Sequence, residues 1–341
     1  MKVILPDGKE LGLPDGASGL EAARAIGPKL AEQAVLVKVD DEPRDLRLPL
    51  PDGARIRFLT TRDRDDSDAL YVLRHSTAHL LAEAVRNLHP GVKVAIGPPV
   101  ENGFYYDFDF PEPIQEADLE PIEAELQRLI AEGREWSRAE IGRDEAKRRF
   151  ADEDEPYKVE LVDTAAGDIS LYTQGSFTDL CRGPHLQNSA PIKAVKLTSL
   201  AGAYWRGDSS KAQLTRIYGT AFYSQADLDA HLARLEEARK NDHRRLGRQL
   251  DLFHFSELSP GSPFWHPRGM AVWNVLEDMR RRENAARGYV EVRTPQIYDR
   301  ELWVTSGHWE KYRENMFLVR VDEEEKTLAL KPMNCPGAVM V

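Results

Sequence analysis

The sequence predicts an α+β protein of two or three domains, and three observations carry that reading. Its 341 residues exceed one ordinary domain of about 100 to 200 residues. The first 60 residues are short apolar strands separated by Pro-Asp-Gly turns. Beyond residue 70, long stretches of helical period are separated by strands of period two. Composition narrows the setting further. Apolar residues make up 41% and charged residues 30%, as in soluble domains. A net charge of -11 argues against indiscriminate nucleic-acid binding and leaves a local basic face open. Two cysteines are too few for a disulfide framework, which predicts a reducing, cytoplasmic setting. There is no apolar leader and no run near the roughly 18 apolar residues that a membrane span needs.

In order, residues 1 to 60 read as two strands around the Pro6-Asp7-Gly8 turn, a helix near 18 to 32, and strands at 35 to 39 and 55 to 59. That is a small fold of β-grasp type, and the turn triplet recurs at 14 to 16 and 51 to 53. Residues 61 to 68 are charged, lack apolar side chains and read as a linker. From 70 to 88, Leu73, Leu80, Leu81, Ala84 and Leu88 share one arc of a helix, while His75 and His79 project to the other side. The pattern over 104 to 110 puts Phe104, Tyr106, Phe108 and Phe110 on one face of a half-buried strand. Helices follow at 116 to 132 and 143 to 151, then strands leading to Cys181. Residues 225 to 249 read as one helix whose basic end, 239 to 248, is either a solvated face or a phosphate-contacting surface. Met270, Trp273, Leu276 and Met279 mark an amphipathic helix ended by Gly288; a strand at 289 to 294 stops at Pro295, and a last strand carries Cys335.

Two pairs carry chemistry. His75 and His79, one helical turn apart, can bind one metal ion because both rings leave the same side of the helix. Ser76 stands where a metallopeptidase helix of that spacing would place its glutamate base, which weakens that reading. Cys181 and His185 flank Arg182-Gly183-Pro184, which forces a loop. From the residues alone, the four could form a metal or water-activating hydrolase, a Cys-His nucleophile, a structural zinc site, or no site.

A resemblance decides more. HSTAHLLAEAV (75 to 85), IGPPVENGFYYDF (96 to 108), FTDLCRGPH (177 to 185) and AGAYWRGDS (201 to 209) together resemble the editing domain of bacterial threonyl-tRNA synthetase. Residues 1 to 61 resemble the family's TGS domain, and NDHRRLGRQLDLF (241 to 253) its junction into the catalytic domain. Residues 269 to 295 are similar to class II motif 1, and KPMNCPG (331 to 337) to the segment holding a zinc ligand. The domains implied are TGS at 1-61, editing at 69-224, a linker helix at 225-250, and the start of a class II antiparallel-sheet domain at 251-341.

The resemblance implies threonine-tRNA ligase chemistry with ATP and Mg as substrate, tRNA(Thr) and threonine as partners, a homodimer, and no membrane. His75, His79, Cys181 and His185 would form an editing site for seryl-tRNA, with Lys158, Tyr172 and Asp179 as further editing residues. Whether that site holds metal stays open. Cys335 would ligate a catalytic zinc, with Met333 beside the substrate. The two further histidine ligands and the ATP-binding arginines are not among these residues, and Ala338 stands where the family usually has histidine. This chain alone is therefore expected to edit and not to form aminoacyl-adenylate. Two other readings are a free-standing trans-editing deacylase and a non-enzymatic RNA-binding module.

Overall fold

Strands β1 (Lys2–Ile4) and β2 (Glu10–Gly12) pair antiparallel across the predicted Pro-Asp-Gly turn, and the Gly8 amide closes it on the Leu5 carbonyl. Ser18 then starts helix α1 (Gly19–Ile26) with a capping box in which the Glu21 carboxylate takes the Ser18 amide at 2.8 Å. The single helix predicted over 18 to 32 divides, because Pro28 cannot donate a helical hydrogen bond and keeps Gly27 extended. Helix α2 (Pro28–Gln33) leads into the sheet β4-β3-β5, formed by β3 (Ala34–Val39), β4 (Glu42–Arg44) and β5 (Ile56–Thr60). Val3, Ala22, Ala23, Val37, Leu46 and Ile56 close a small core.

The computed structural model describes residues 1–320 and 327–341, in two units, Met1–Glu237 and Ala238–Val341. All its sheets are antiparallel, as the α+β reading requires. The expected linker is an ordered turn: the Asp63 carboxylate takes the Thr60 amide at 2.7 Å, and Asp66 caps helix α3 (Ser67–Leu88). Helix α3 lies against a sheet of β6 (Lys93–Val94), β8 (Gly103–Asp109), β13 (Gln213–Phe222) and β12 (Ala194–Tyr204), with β7 (Pro99–Val100) on the β8 edge. Phe104, Tyr106 and Phe108 point into this core, as the period-two pattern predicts. Helix α4 (Leu119–Ala131) covers α3 and β12. A second sheet, β11-β10-β9, joins β9 (Trp136–Ile141), β10 (Ile169–Gln174) and β11 (Phe177–Leu180), and is accompanied by helices α5 (Arg143–Asp152) and α6 (Pro156–Thr164).

The helix expected over 225 to 249 is two, α7 (Gln225–Lys240) and α8 (His243–Gln249), because Asp242 turns out of the helix and caps α8 on the Arg244 amide. In the second unit, β14 (Phe253–Phe255) pairs with β15 (Pro263–Trp265), and α9 (Pro267–Ala286) leaves Met270, Trp273, Leu276 and Met279 exposed. The strand expected at 289 to 294 does not form; the pairing strand is β16 (Ile297–Asp299), after Pro295, in the sheet β16-β18-β17 with β17 (Leu318–Arg320) and β18 (Thr327–Leu330). Helices α10 (Arg300–Thr305) and α11 (His308–Tyr312) lie between them in sequence. Cys335 is not on a strand either. It opens a short helix, α12 (Cys335–Val339), where Pro336 takes an N-terminal position needing no amide donor. Among the described residues no helix is long and apolar enough to cross a membrane.

Candidate functional site

Helix α3 is buried on every side from Val72 to Val85. Its apolar arc, with Leu73, Leu80, Leu81 and Ala84, packs in the main core, while Leu88 is exposed at the end. The opposite face is covered too, so His75 and His79 are not a solvated pair; they are 7% and 3% exposed. The covering segment is the loop after β11, which carries Cys181 and the fully buried His185.

The four predicted side chains converge. Their ligand atoms all lie within 4.8 Å of one another. Cys181 Sγ is 3.3 Å from both His75 Nε2 and His185 Nε2. The His75 and His185 rings stack with centroids 4.2 Å apart, and Trp136 lies parallel to His185 at 5.9 Å. His75 Nδ1 lies 3.2 Å from the Pro184 carbonyl, which can only accept, so this nitrogen carries the proton and Nε2 presents a lone pair. Ser76 Oγ, which accepts the Leu186 amide at 2.9 Å, is 3.1 Å from His185 Nδ1 and orients that ring.

Beside the quartet lies a buried charged network. Lys158 on α6 forms a close ion pair with Asp179 on β11 and donates to the Tyr106 hydroxyl at 2.9 Å. Tyr106 donates to the other Asp179 oxygen at 2.5 Å, and His79 Nε2 is 3.5 Å from that oxygen. Burial opposes the Asp179 charge, but Lys158, His79 and the Tyr106 hydroxyl outweigh it and hold the carboxyl below its ordinary range. Tyr172 faces Asp179 across the β10–β11 pair; its ring is 4.6 Å from His185, and its hydroxyl donates to Asp45 at 3.1 Å.

Burial sets the protonation of the quartet. It pushes His75 down to about 4 and His79 to about 3, and holds His185 well below the usual imidazole value. It pushes the Cys181 thiol up to about 12. At neutral pH the site therefore holds three neutral imidazoles and a protonated thiol, the state in which His75 can accept a proton from a substrate or water. An adjoining cavity of about 350 Å³, lined by Ile96, Leu161, Ser170, Cys181 and Arg182 among others, reaches the quartet at Cys181.

Part of the quartet has the spacing of a tetrahedral ion's ligands, within a set of donors spread over up to 4.8 Å. Metal–ligand bonds of about 2.0 to 2.3 Å require donors roughly 3.3 to 3.8 Å apart, which matches both cysteine–histidine separations. Cys335 does not have such company. It is exposed, and among the described residues no group of three or more potential ligands includes it. Met333 is exposed, with its sulfur 3.2 Å from His308 Nε2.

Sequence reading missed Tyr106, Ser76 and Asp45. Period two assigns Tyr106 to the core, which is where its ring lies, and only the hydroxyl among phenylalanines at 104, 108 and 110 could have signalled a second role. Ser76 follows His75 directly, but its contact is with a loop distant in sequence. Asp45 lies in another segment altogether and carries no local signal.

Two families match parts of the chain: the TGS domain over residues 1–60, and the threonyl and alanyl tRNA synthetase second additional domain over residues 169–218. The chain is similar to the threonine–tRNA ligase of Gluconacetobacter diazotrophicus, at 50% identity over 342 residues, covering 99% of this chain and 53% of that protein. It is similar to the enzyme of the same name from Phenylobacterium zucineum, at 48% over 344 residues, covering 100% and 52%. It thus spans about half the length of the curated relatives it matches. A solved RNA-binding domain of threonyl-tRNA synthetase from Cryptosporidium parvum Iowa II is 52% identical over 29% of this chain and 25% of that one, with a TM-score of 0.28.

Proposed function

We propose that this chain, related along its whole length to the threonine–tRNA ligases, hydrolyses seryl-tRNA(Thr) at the His75, His79, Cys181 and His185 site. The observation carrying this reading is the convergence of four donor atoms, three of them buried, with His75 held in the tautomer whose Nε2 is an unprotonated acceptor beside Cys181. Chemistry explains the need for such a site. A pocket made for threonine rejects serine by only about 1 to 3 kcal/mol, since the two differ by one methyl group, so mischarged serine must be removed afterwards.

In the proposed reaction the terminal adenosine occupies the cavity beside Cys181. His75 Nε2 takes a proton from water as the water oxygen attacks the ester carbonyl. Lys158, which has a third N–H beyond those given to Asp179 and Tyr106, stabilises the oxyanion. The bond from the carbonyl carbon to the ribose oxygen then breaks, and the proton from His75 passes to that oxygen, leaving serine and free tRNA. Tyr172 and Asp179 position His185 and His79 for this step. A metal ion held by three of the four donors, with its remaining position open, would polarise the carbonyl and lower the pKa of a bound water.

The whole protein, on this reading, attaches threonine to tRNA(Thr) using ATP with Mg, and works as a cytoplasmic homodimer through the exposed face of α9. Its catalytic zinc would include Cys335, with Met333 lining the amino-acid pocket. The described residues around Cys335 offer no complete ligand set. The test is to incubate the 341-residue chain with seryl-tRNA(Thr) and, separately, with threonine, ATP and labelled pyrophosphate. Hydrolysis that is lost in His75→Ala and Cys181→Ala, without pyrophosphate exchange, is expected. Binding of tRNA with an intact ester would instead favour a non-enzymatic RNA-binding module.

A further inference from the structure

The loop that carries Cys181 and His185 is gripped from outside its own sheet. Three consecutive residues after β4, in the N-terminal segment, divide their tasks. Leu46 is fully buried in the small N-terminal core, and its carbonyl accepts the Leu20 amide at 2.8 Å. Its neighbours Asp45 and Arg47 turn the other way. One Asp45 oxygen accepts the His185 amide at 2.9 Å and the Tyr172 hydroxyl at 3.1 Å. Arg47 pairs with that carboxylate and donates to the carbonyls of His185 at 3.2 Å, Leu186 at 2.7 Å and Trp136 at 3.0 Å. Gln187 adds bonds from the loop back to the Ala31 and Ala34 carbonyls, at 2.8 and 2.9 Å.

These contacts do more than cover apolar surface. The peptide groups on both sides of His185 are held, the amide by a carboxylate and the carbonyls by a guanidinium. Charge-assisted bonds of this kind are shorter and stronger than neutral ones and fix direction. Asp45 is only 2% exposed, and a buried carboxylate persists where its partners are built in. The loop fits closely around it: a Cβ on Gly183 would meet the Tyr172 hydroxyl at 2.3 Å and Asp45 Oδ2 at 3.3 Å.

We infer that Asp45 and Arg47 are positioning residues for the proposed hydrolysis, so that the N-terminal segment completes a site whose reacting groups all lie on later elements. They touch no reacting atom. Their action is to set where His185 and Tyr172, and through His185 also Cys181, stand relative to α3. This inference rests on the hydrolytic reading for its kinetic consequence, and stands apart from it for the structural one.

The test uses the full chain with Asp45→Ala, Arg47→Ala and the near-isosteric Asp45→Asn, which keeps an acceptor for the His185 amide. Two readouts are taken: kcat and KM for seryl-tRNA hydrolysis, and amide hydrogen exchange over residues 181 to 187. A displacement of about 1 Å costs on the order of 100-fold in rate. The alanine variants should therefore lose at least about tenfold in kcat, with KM within about twofold, and Asp45→Asn should fall between them and wild type. Exchange at the His185 amide should accelerate while α3 and β8 stay protected. Unchanged exchange and unchanged kcat in a folded Asp45→Ala protein would overturn the inference. A wild type without hydrolytic activity, combined with faster loop exchange in the variants, would sink the hydrolytic reading and leave the grip standing. If Asp45→Ala does not fold, Asp45→Asn and Arg47→Ala carry the same comparison.

Discussion

Replacing Lys158 by methionine should cost the fold several kilocalories, and cost it more at high pH than at low. Lys158 and Asp179 are 3% and 2% exposed, so water screens neither charge. Removing one member of a buried pair costs about 3 to 5 kcal/mol, because the other charge remains without its partner. At about 2 to 4 °C per kcal/mol for a folding unit of this size, the midpoint of thermal unfolding should drop by about 6 to 20 °C at pH 7 to 8. In the native chain the Asp179 carboxyl is held below its ordinary range, so its contribution is complete above the unfolded value near 4 and is lost only as pH falls through the lower folded value. Without Lys158, burial dominates and the folded carboxyl rises above the unfolded value. The stability lost relative to wild type should then be smaller at pH 5 than at pH 8, because the histidine contributions are common to both proteins. Scanning calorimetry at both pH values measures this. The double variant Lys158→Met with Asp179→Leu should recover most of the loss. A single variant as stable as wild type at pH 8, or a double variant no better than the single, would refute the assignment of this pair as buried and mutually dependent.

Other consequences are open to measurement. Tyr106→Phe removes the donor to Asp179 and the acceptor for Lys158 without changing packing, and should cost about 1 to 3 kcal/mol in urea unfolding together with a fall in seryl-tRNA hydrolysis. His75, moved by burial from 6.5 to about 4, binds a proton in the unfolded chain before it does in the folded one. Stability should therefore fall as pH drops from 6.5 toward 4, by up to about 3 kcal/mol from this residue. His75→Gln should flatten that slope in urea titrations at pH 7 and 5; equal slopes would contradict the burial argument. The same depression keeps His75 available as a base, so hydrolysis should hold between pH 5 and 7 instead of failing near 6.5. Gly183→Ala places a side chain at φ +74° against the Tyr172 hydroxyl. The backbone alone costs about 1 to 2 kcal/mol, and a lowered melting temperature with weaker hydrolysis is expected.

The legible parts of this chain are those where one residue's neighbours in sequence are also its neighbours in space. The pairing of His75 with His79 follows from helical geometry, and the inward face of β8 follows from strand period. Burial of α3 on both faces was not legible, because the layer covering the histidines comes from residues 181 to 187 and β10. No periodicity in α3 announces a second covering layer. Tyr106 reads as core and is core; its hydroxyl gains a role only when α6 brings Lys158 beside it. Asp45 joins the site through a tertiary contact, with nothing in its local sequence to mark it. In the second unit, the residues before Pro295 have strand-like composition but no partner edge, and the pairing moves to Ile297–Asp299.

His79 Nδ1 is buried with no hydrogen-bond partner, and an orphaned polar atom costs about 1 to 3 kcal/mol. A library selected only for heat resistance should accept an aliphatic residue at 79, since Asp179 keeps Lys158 and Tyr106 as partners without it. Such a winner would be a sturdier protein in which the proposed hydrolytic site had been given up, one imidazole at a time, without any sign of misfolding.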